Sequence, residues 1–454
     1  MGYQTLVDAQ YTFFNTNATK DILFRKKALK RLKNVLKENE EILYEAIFKD
    51  FKKSKFETYV TELALVYSEI DVALKNLNNW SSKRRIRTSL ANFPAKSYII
   101  AEPLGVSLVI GAWNYPYQLS LAPAVAALAA GCTVILKPSE IAVHTSSTIA
   151  QLINKNFDAN FFTVIEGGVS ETTELLSHKF DKIFFTGSVA VGKIIYKAAA
   201  EHLTPVTLEL GGKSPAIISK HVHLKNTAKR LVWAKFLNAG QTCIAPDYVL
   251  VQNSIKEKFV HAIIDEIKAA AYAIDHDNYT QIIDVKNYIR LKQFISKETL
   301  YYGGKTDDDE RIIYPTLLTN IEFNHPVMQE EIFGPILPII SYETMSEAIE
   351  MVKKLPKPLA CYVFTRRKKE KEMVLNKLSF GGGSINDAIM HVTEQNLPFG
   401  GVGNSGMGNY HGKSGFDAFS HHKSILEKTF LFEPNLKYAP YSNLKLKLIK
   451  WLIK

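Results

Sequence analysis

Cysteine is scarce in this sequence, and its few occurrences are widely separated. The 454 residues include three, Cys132, Cys243 and Cys361. That spacing excludes a disulfide framework and any CxxC-type metal site. Cys132 and Cys361 lie in apolar runs, so we expect both to be buried core thiols. Cys243 lies in a polar, glycine-containing turn and needs a separate explanation.

Signals for secretion and for nucleic-acid binding are also lacking. The N-terminal residues show no basic region followed by an apolar stretch, so we expect no secretory signal and a reducing cytoplasm. The chain has 56 Lys and Arg against 45 Asp and Glu, a formal net charge of +11. No helix-turn-helix, zinc-finger or RNA-recognition pattern accompanies this excess, so we expect no nucleic-acid partner.

Charge is missing altogether from residues 103–136. A hydropathy scan would flag this stretch as a membrane span. However, Asn114, Pro116, Pro123 and Gly131 interrupt it. It divides instead into a strand, a loop, a helix of small residues and a second strand. This order predicts a βαβ unit buried on both faces of a parallel sheet.

The rest of the chain shows two further patterns. Residues 8–80 contain neither proline nor glycine, and their leucines and isoleucines recur at helical spacing. Residues 81–102 alternate charged and apolar side chains around a turn at 92–94, which predicts a projecting β-hairpin suited to subunit contacts. Strands and helices then alternate in two runs, so we expect two α/β domains with a cleft between them.

Two glycine-rich segments resemble phosphate-binding loops without meeting their requirements. Residues 187–193 nearly match a P-loop, but Ile194 stands where Ser or Thr would hold Mg²⁺. The helix that begins there can still bind a phosphate through its free N–H groups. Residues 401–406 match GxGxxG, but no clean buried strand precedes them. We expect a backbone turn at this second segment.

Three residues are candidates for chemistry. Cys243 follows the end of a predicted helix, and a cysteine nucleophile needs nearby N–H dipoles or a base. Glu209 ends a predicted strand and can act as a general base if burial raises its pKa. Asn114 lies at the mouth of the first predicted strand and can donate to an oxyanion. Taken singly, each has a plain alternative: a core thiol, a structural carboxylate and a turn former.

The ends of other segments carry further polar groups. Lys137 and Glu140 follow a predicted strand and can bind sugar hydroxyls, or they form a capped turn. Glu331 and Phe333 lie in the segment EEIFGP, which equally suits a helix end packed on a loop.

Together these segments resemble the aldehyde dehydrogenase superfamily, most closely its class 3 or fatty aldehyde-type members. The matching motifs run in order through nearly the whole chain. They are WNYP, KPSE, FTGS, LELGGKSP, WAKFLNAGQTCIAPDYVL, EEIFGP and LPFGGVGNSGMGNYHGKSGFDAFSH. No position that the family uses for catalysis departs from its pattern.

The resemblance implies an α/β fold with a Rossmann-type cofactor domain, an α/β catalytic domain and a β-hairpin oligomerisation element with a late strand near 416–424. It also implies a homodimer. The implied ranges are 1–80 and 103–210 for the dinucleotide-binding domain, 211–400 for the catalytic domain, 81–102 and 401–430 for the oligomerisation element, and 431–454 for a C-terminal tail.

The resemblance also implies a mechanism. Cys243 would attack an aldehyde, and Asn114 with the Cys243 N–H would hold the oxyanion. Hydride transfer to the nicotinamide would leave a thioester, and Glu209 would activate the water that hydrolyses it. The presence of Glu209 favours hydrolysis over transfer to coenzyme A. The product is a carboxylic acid.

The implied cofactor is NAD, with NADP left open. Glu140 would accept from the ribose 2′-OH and would repel a 2′-phosphate. Lys137 would assist it, residues 187–188 would face the pyrophosphate, and Glu331 would bind the nicotinamide ribose beside Phe333. The full implied cofactor-binding set is Lys137, Glu140, Thr186, Gly187, Ser188, Gly192, Glu331 and Phe333.

Four aromatic or imidazole side chains are candidates for a substrate channel: Tyr115, Trp233, His391 and His411. Ordinary core packing, or a structural histidine, is the alternative for each. The pair His221 and His223 has no apparent third ligand, so we expect no metal.

The tail ends in SNLKLKLIKWLIK, with Leu444, Leu448, Trp451 and Leu452 on one helical stripe among lysines. It is too short and too charged to span a bilayer. Three interpretations stay open: a helix over the substrate entrance, a peripheral contact with a membrane surface, and a frayed tail or subunit contact. The tail suggests apolar, medium- to long-chain aldehydes.

Two other functions remain as alternatives at this point. One is a semialdehyde dehydrogenase that forms acyl-CoA. The other is a non-catalytic structural or membrane-associated protein of the same fold.

Overall fold

The N-terminal region is helical, as the sequence predicts. We describe a computed structural model, which covers residues 2–431 and 433–452. Its first helices are α1 (Tyr3–Asn15), α2 (Ile22–Glu38), α3 (Glu40–Phe51), α4 (Lys55–Thr58) and α5 (Ala64–Trp80). A π-helical turn, Tyr59–Leu63, joins α4 to α5. Leucines of α2, α3 and α5 are buried together.

The first large sheet has six strands in the order β17-β7-β6-β3-β4-β5. Its members are β3 (Val106–Ile110), β4 (Thr133–Lys137), β5 (Phe162–Val164), β6 (Lys182–Gly187), β7 (Val206–Leu210) and β17 (Gly406–Met407). The helices between them are α6 (Pro116–Ala130), α7 (Val143–Asn156), α8 (Val169–Leu176) and α9 (Val189–Glu201). β3 and β4 pair in parallel around α6, so the βαβ prediction is confirmed.

The second large sheet has seven strands in the order β10-β13-β14-β9-β8-β15-β16. They are β8 (Pro215–Ile218), β9 (Tyr248–Gln252), β10 (Leu300–Tyr302), β13 (Thr316–Leu318), β14 (Ile336–Tyr342), β15 (Ala360–Phe364) and β16 (Gly382–Ile385). The flanking helices are α10 (Leu224–Phe236), α11 (Lys256–Ala270), α12 (Val285–Gln293), α13 (Pro326–Gln329), α14 (Met345–Lys353) and α15 (Lys368–Lys377). A short ribbon pairs β11 (Thr306–Asp307) with β12 (Ile312–Ile313).

Local structure sets the limits of two elements in this half. Helix α12 begins at Val285, because Asp284 caps its first turn by accepting from the Asn287 N–H. β8 had no predicted counterpart. It is only four residues long and begins with proline, which a strand tolerates at its first position.

A third sheet holds three strands in the order β1-β2-β18. They are β1 (Arg84–Ile86), β2 (Ala95–Pro103) and β18 (Ser420–Lys428). β1 and β2 pair antiparallel, which confirms the hairpin. The strand expected near 416–424 begins only at Ser420, because the preceding residues form helix α16 (Gly412–Ala418), whose Phe416 is buried.

The GxGxxG segment is a turn, as expected. Gly403 bridges to Gly406, and Gly403 adopts the left-handed φ of 67°. β17 follows at once and pairs antiparallel with β7, where Gly406 lies opposite Glu209. This glycine-rich segment therefore packs against the strand that carries the predicted base.

The apolar segments identified in the sequence are buried. Cys132 and Cys361 are both buried, as predicted, and every residue of α6 is buried. Within residues 2–431 and 433–452, no helix combines the length and the apolar character that crossing a bilayer requires. A last helix, α17 (Asn443–Leu452), lies beside the turn at Leu90–Asn92 with most of its apolar side chains exposed.

Candidate active site

A strained turn places Cys243. Helix α10 ends at Phe236, and the next residues turn with positive φ: 53° at Asn238, 49° at Ala239 and 73° at Gly240. A Cβ on Gly240 would lie 2.3 Å from the carbonyl oxygen of Gly334, so the backbone approaches too closely for any side chain. Strain of this kind persists only where surrounding contacts enforce it, and it clusters at functional sites.

Hydrogen bonds tie Asn114 to this turn. The Asn114 Nδ2 donates to the carbonyl oxygen of Gln241 at 3.1 Å. The Asn238 Nδ2 donates to the carbonyl oxygen of Asn114 at 2.9 Å. The loop between β3 and α6 is thus joined to the loop before Cys243. The two segments are far apart in sequence, and the structure brings their candidate residues into one site.

Glu209 carries a buried carboxyl group. Its residue is 3% exposed, and neither carboxyl oxygen has a hydrogen-bond partner among the residues that the structure describes. Burial raises the pKa of Glu209 well above its usual value. A carboxyl in this state is suited to proton transfer near neutral pH.

The thiol of Cys243 lies in the field of two carboxyls. Burial raises its pKa, and the charges of Glu331 and Glu209 raise it further. The backbone N–H groups of Cys243 and Ile244 lower it. Burial and the two carboxyls thus favour the neutral thiol, whereas the N–H groups favour negative charge on a reacting atom.

The carboxyl ends of β4 and β6 carry the residues implied for a dinucleotide. The Lys137 Nζ donates to the carbonyl oxygen of Pro138 at 2.9 Å and to Glu140 at 3.2 Å. Lys137 is buried, whereas Glu140 is exposed. The buried hydroxyl of Thr186 has no partner within the described part of the chain. These groups are available to sugar hydroxyls at the edge where open α/β sheets bind nucleotides.

The start of α9 lies beside them. The Ser188 Oγ caps the helix by accepting from the Val191 N–H at 3.3 Å, and Gly187 precedes it. A Cβ on Gly192 would lie 2.7 Å from Leu210, so this glycine lets the helix pack closely on β7. Free N–H groups at such a helix start are suited to a pyrophosphate.

Glu331 reaches the site from the second half of the chain. A Cβ on Gly211 would lie within 1.9 Å of a Glu331 carboxyl oxygen, so the carboxyl rests directly on that glycine. Burial is the main reason that the pKa of Glu331 rises to about 8, and the charge of Asp247 adds to it. The Phe333 backbone has a positive φ of 53°, and its ring meets Trp113 edge-on at 5.3 Å between centroids.

The sequence analysis did not predict the lysine that anchors the loop carrying Glu331. The Lys213 Nζ donates to the carboxylate of Asp247 and to the carbonyl oxygens of Val327, at 2.9 Å, and Glu330, at 2.8 Å. Lys213 lies inside the LELGGKSP motif, but the motif alone gives no indication of its partners.

The four channel candidates differ in their surroundings. Tyr115 is buried, and its hydroxyl lies 2.6 Å from the Thr242 Oγ1. Trp233 is 40% exposed. The rings of His391 and His411 both stack on the ring of Phe399, at centroid distances of 6.0 and 5.3 Å. Burial lowers the pKa of His391 to about 4, and burial followed by His391 lowers that of His411 to about 3.

Tyr410 packs in the same aromatic group, with its ring centroid 4.4 Å from that of His411. Burial raises the pKa of the Tyr410 hydroxyl, and the charges of Glu209 and Cys243 raise it further. The Gln118 Nε2 donates to it at 3.4 Å. Within the segment NYHGK the sequence analysis singled out only the neighbouring His411, so Tyr410 was not predicted.

The HxH pair makes other contacts. The His223 Nδ1 accepts from the Asn226 N–H at the start of α10, and the His221 Nε2 lies 3.8 Å from Glu370. No group of three metal-ligating side chains occurs among the residues covered by the structure.

Comparison with known proteins identifies the family of this chain. A family model described as the aldehyde dehydrogenase family matches residues 4–425. The chain belongs to the aldehyde dehydrogenase family. It is 46% identical to the 4,4'-diaponeurosporen-aldehyde dehydrogenase of Staphylococcus aureus over 97% of each chain. It is 44% identical to the "Aldehyde dehydrogenase, dimeric NADP-preferring" of Rattus norvegicus, over 94% of this chain and 95% of the relative.

A solved structure is similar to this chain over its whole length. The substrate-bound state of the Staphylococcus aureus enzyme AldH superposes with a TM-score of 0.97 at 45% identity, covering 100% of this chain and 99% of that one. The class 3 resemblance, the α/β fold and the enzyme class are thereby confirmed. This aldehyde dehydrogenase oxidises aldehydes, and its family uses NAD or NADP.

Proposed function

We propose that this aldehyde dehydrogenase converts apolar, medium- to long-chain aldehydes to carboxylic acids through a thioester on Cys243. Asn114 acts as oxyanion donor and Glu209 as the base for water. The observation that carries the proposal is the buried carboxyl of Glu209, which has no hydrogen-bond partner in the part of the chain that the structure describes and whose charge acts on the Cys243 thiol. A hydrolytic base needs this combination of raised pKa and free oxygens.

The first step is addition of the Cys243 sulfur to the aldehyde carbon. The thiol proton passes to solvent as the carbon–sulfur bond forms and the former carbonyl oxygen gains negative charge. One Asn114 N–H is bound to Gln241, and its second N–H is available to that oxygen with the Cys243 N–H. The nicotinamide cofactor, when bound, supplies the acceptor for the hydride that converts the thiohemiacetal to a thioester.

Hydrolysis completes the cycle. Glu209 takes a proton from a water molecule, whose oxygen attacks the thioester carbon. The carbon–sulfur bond then breaks, the carboxylic acid leaves, and the proton held by Glu209 passes to the sulfur of Cys243. The same carboxyl disfavours coenzyme A as the acyl acceptor, because activated water competes for the thioester.

The proposed cofactor-binding residues fit a dinucleotide. Lys137, Glu140 and Thr186 surround the strand ends, and Ser188 opens α9 above them. We propose NAD as the preferred form because the Glu140 carboxylate would repel a 2′-phosphate. The rat relative is named NADP-preferring, so parallel titration with NAD and NADP tests this preference directly.

The remaining proposals concern the surroundings of the enzyme. The nine-residue strand β18 lies at the edge of its sheet, so its outer backbone groups can pair with a second copy in a homodimer. Leu444, Leu448 and Trp451 of α17 are exposed among lysines, which supports peripheral contact with an anionic membrane surface and a cytoplasmic location.

We also propose the domain boundaries given above. A substrate channel is proposed from four residues: Tyr115, Trp233, His391 and His411.

The deciding experiment follows the near-ultraviolet absorbance of reduced cofactor without coenzyme A. NAD and NADP are supplied in turn with aldehydes from acetaldehyde to hexadecanal. We expect turnover that rises with chain length and is faster with NAD. Turnover that needs coenzyme A would contradict the hydrolytic role of Glu209. Equal turnover across the series would contradict the apolar channel.

A further inference from the structure

A short segment behind the active site buries three ionisable side chains that the proposed mechanism does not use. Lys53, Glu57 and Glu62 are 1%, 7% and 0% exposed. The Lys53 Nζ donates to a carboxyl oxygen of Glu62 at 2.7 Å, and both side chains are fully buried. We call these three residues the buried charge cluster. Burying charges is costly, so each must have partners that compensate.

The Lys53–Glu62 pair contacts the segment that carries Asn114. The second Glu62 oxygen accepts from the N–H groups of Tyr117, at 2.7 Å, and Gln118, at 3.4 Å, in the first turn of α6. The Lys53 Nζ donates to the carbonyl oxygen of Asn114 at 3.4 Å. The pair therefore holds the residues on both sides of the Asn114–Tyr115 peptide.

Lys53 also contacts the side chain of Tyr115. Its ammonium lies 4.2 Å from the centroid of the Tyr115 ring, within the range of a cation–π contact. The Tyr115 hydroxyl in turn lies 2.6 Å from the Thr242 Oγ1. Thr242 immediately precedes Cys243, so this chain of contacts ends at the nucleophile.

Glu57 contacts the strained turn. One of its carboxyl oxygens accepts from the Asn238 N–H at 2.7 Å. Asn238 has a positive φ, and its Nδ2 donates to the carbonyl oxygens of Asn114 and Gln241. The cluster thus reaches the turn before Cys243 independently of Lys53.

The backbone explains how one segment reaches both loops. Lys52 ends α3 with a left-handed φ of 59°, which turns Lys53 inward. Helix α4 then carries Glu57, and the π-helical turn at Tyr59–Leu63 that follows it carries Glu62. Turns of this type occur frequently at functional sites.

We propose that the buried charge cluster positions the oxyanion-binding side of the active site by fixing the Asn114 peptide and the Asn238 turn relative to Cys243. Its members are positioning residues and contact neither aldehyde nor cofactor. The inference rests on the proposed role of Asn114. Displacing a reacting group by about 1 Å can cost about a hundredfold in rate, so loss of the cluster should slow acylation rather than cofactor binding.

The main test is the full-length double variant Lys53→Met/Glu62→Gln. It removes both charges together, and the Gln oxygen can still accept from Tyr117. The pre-steady-state burst of reduced cofactor measures acylation, and fluorescence titration measures cofactor affinity. We expect the burst to slow by about tenfold to a hundredfold with unchanged cofactor affinity. The matched control is Lys33→Met/Asp71→Asn, which removes an ion pair between α2 and α5 and should leave the burst unchanged.

A double-mutant cycle separates this inference from the proposed function. If the cluster acts through Asn114, adding Lys53→Met/Glu62→Gln to Asn114→Ala should slow the burst by less than about threefold more. A full additional slowing would overturn the inference, because the cluster would then act elsewhere. A normal burst in Asn114→Ala alone would instead overturn the proposed role of Asn114. A normal burst in the cluster variant alone would overturn only the positioning role.

A second pair of variants covers the case in which the double variant does not fold. Glu57→Leu removes the acceptor for the Asn238 N–H, whereas Glu57→Gln retains an oxygen there. We expect Glu57→Leu to slow the burst at least about fivefold, and Glu57→Gln to restore it to within about twofold of the native rate, since displacement of the turn is what costs rate. Equal bursts in the two variants would overturn the inference.

Discussion

Glu209 and Glu62 are both buried carboxyl residues of the same enzyme, yet their surroundings are opposite. Glu62 shares an ion pair with Lys53 and accepts from two backbone N–H groups. Glu209 has no hydrogen-bond partner within residues 2–431 and 433–452. A fully satisfied buried carboxyl holds structure together, whereas an unsatisfied one is free to exchange a proton. Partners therefore distinguish the two roles better than burial does.

The largest expected effect comes from removing Cys243, the proposed nucleophile. Cys243→Ala should abolish aldehyde oxidation and retain cofactor binding, because the backbone of the turn stays intact. Steady-state turnover and cofactor titration check this together. Cys132→Ala, at a buried thiol far along the chain, is the control and should retain turnover. Retained oxidation in Cys243→Ala would remove Cys243 from the mechanism.

The next effect isolates the free carboxyl itself. Glu209→Gln keeps the shape of the side chain but cannot accept a proton, so deacylation should slow by about a hundredfold or more. Acylation should persist as a burst of reduced cofactor of about one equivalent per site. Glu201→Gln, at the exposed end of α9, should behave as the native enzyme. A burst lost in step with turnover would assign Glu209 another role.

The comparison also predicts opposite changes in stability. Glu62→Leu leaves Lys53 buried without its partner, so the free energy of unfolding should fall by about 3–5 kcal/mol. Glu209→Leu removes an unsatisfied carboxyl from an apolar setting, so it should rise by about 1–3 kcal/mol. Urea unfolding curves of the two variants measure both changes. A similar loss in the two would mean that Glu209 has structural partners after all.

A smaller effect concerns the two imidazoles stacked on Phe399. Burial holds the pKa of His411 at about 3 in the folded protein, against 6.5 in the unfolded chain. Between pH 6.5 and pH 5 the unfolded chain therefore binds a proton that the folded protein does not, and stability falls as the pH falls.

His411→Phe keeps the stack but removes this titration. Over that pH range the native enzyme should lose about 2 kcal/mol more than the variant. Urea unfolding at each pH measures the difference between the two proteins, and subtraction removes the opposite contribution of Glu69, whose pKa burial raises to about 7. A pH profile of His411→Phe parallel to that of the native enzyme would refute the assignment.

The smallest effect is expected at the surface. Removal of residues 443–454 takes away exposed apolar side chains and lysines, so it should reduce binding to vesicles rich in anionic lipid or shift the chain-length preference. Sedimentation with vesicles and turnover across the aldehyde series measure the two readouts. The variant Leu444→Ser/Trp451→Ser keeps the lysines and separates apolar from electrostatic contact. No change in either readout would leave α17 with a purely structural role.

Local patterns predicted much of the fold. The charge-free stretch at 103–136 is a parallel βαβ unit, and the alternating segment at 81–102 is a hairpin. Where local patterns failed, tertiary contacts decided the outcome. β8 is a short strand completed by its neighbours in the sheet, and α16 takes the place of an expected strand because Phe416 is buried as part of a helix.

The sequence by itself determined the family, the order of α/β elements and the candidates Cys243, Glu209 and Asn114, because these depend on residue types at fixed local spacing. Only the tertiary structure decided which charged groups have partners. Lys53 meets the backbone of Asn114, 61 residues away, and Glu57 meets that of Asn238, 181 residues away. Burial and hydrogen bonding are properties of the folded neighbourhood, so no local pattern could reveal that Glu62 is held and Glu209 is free.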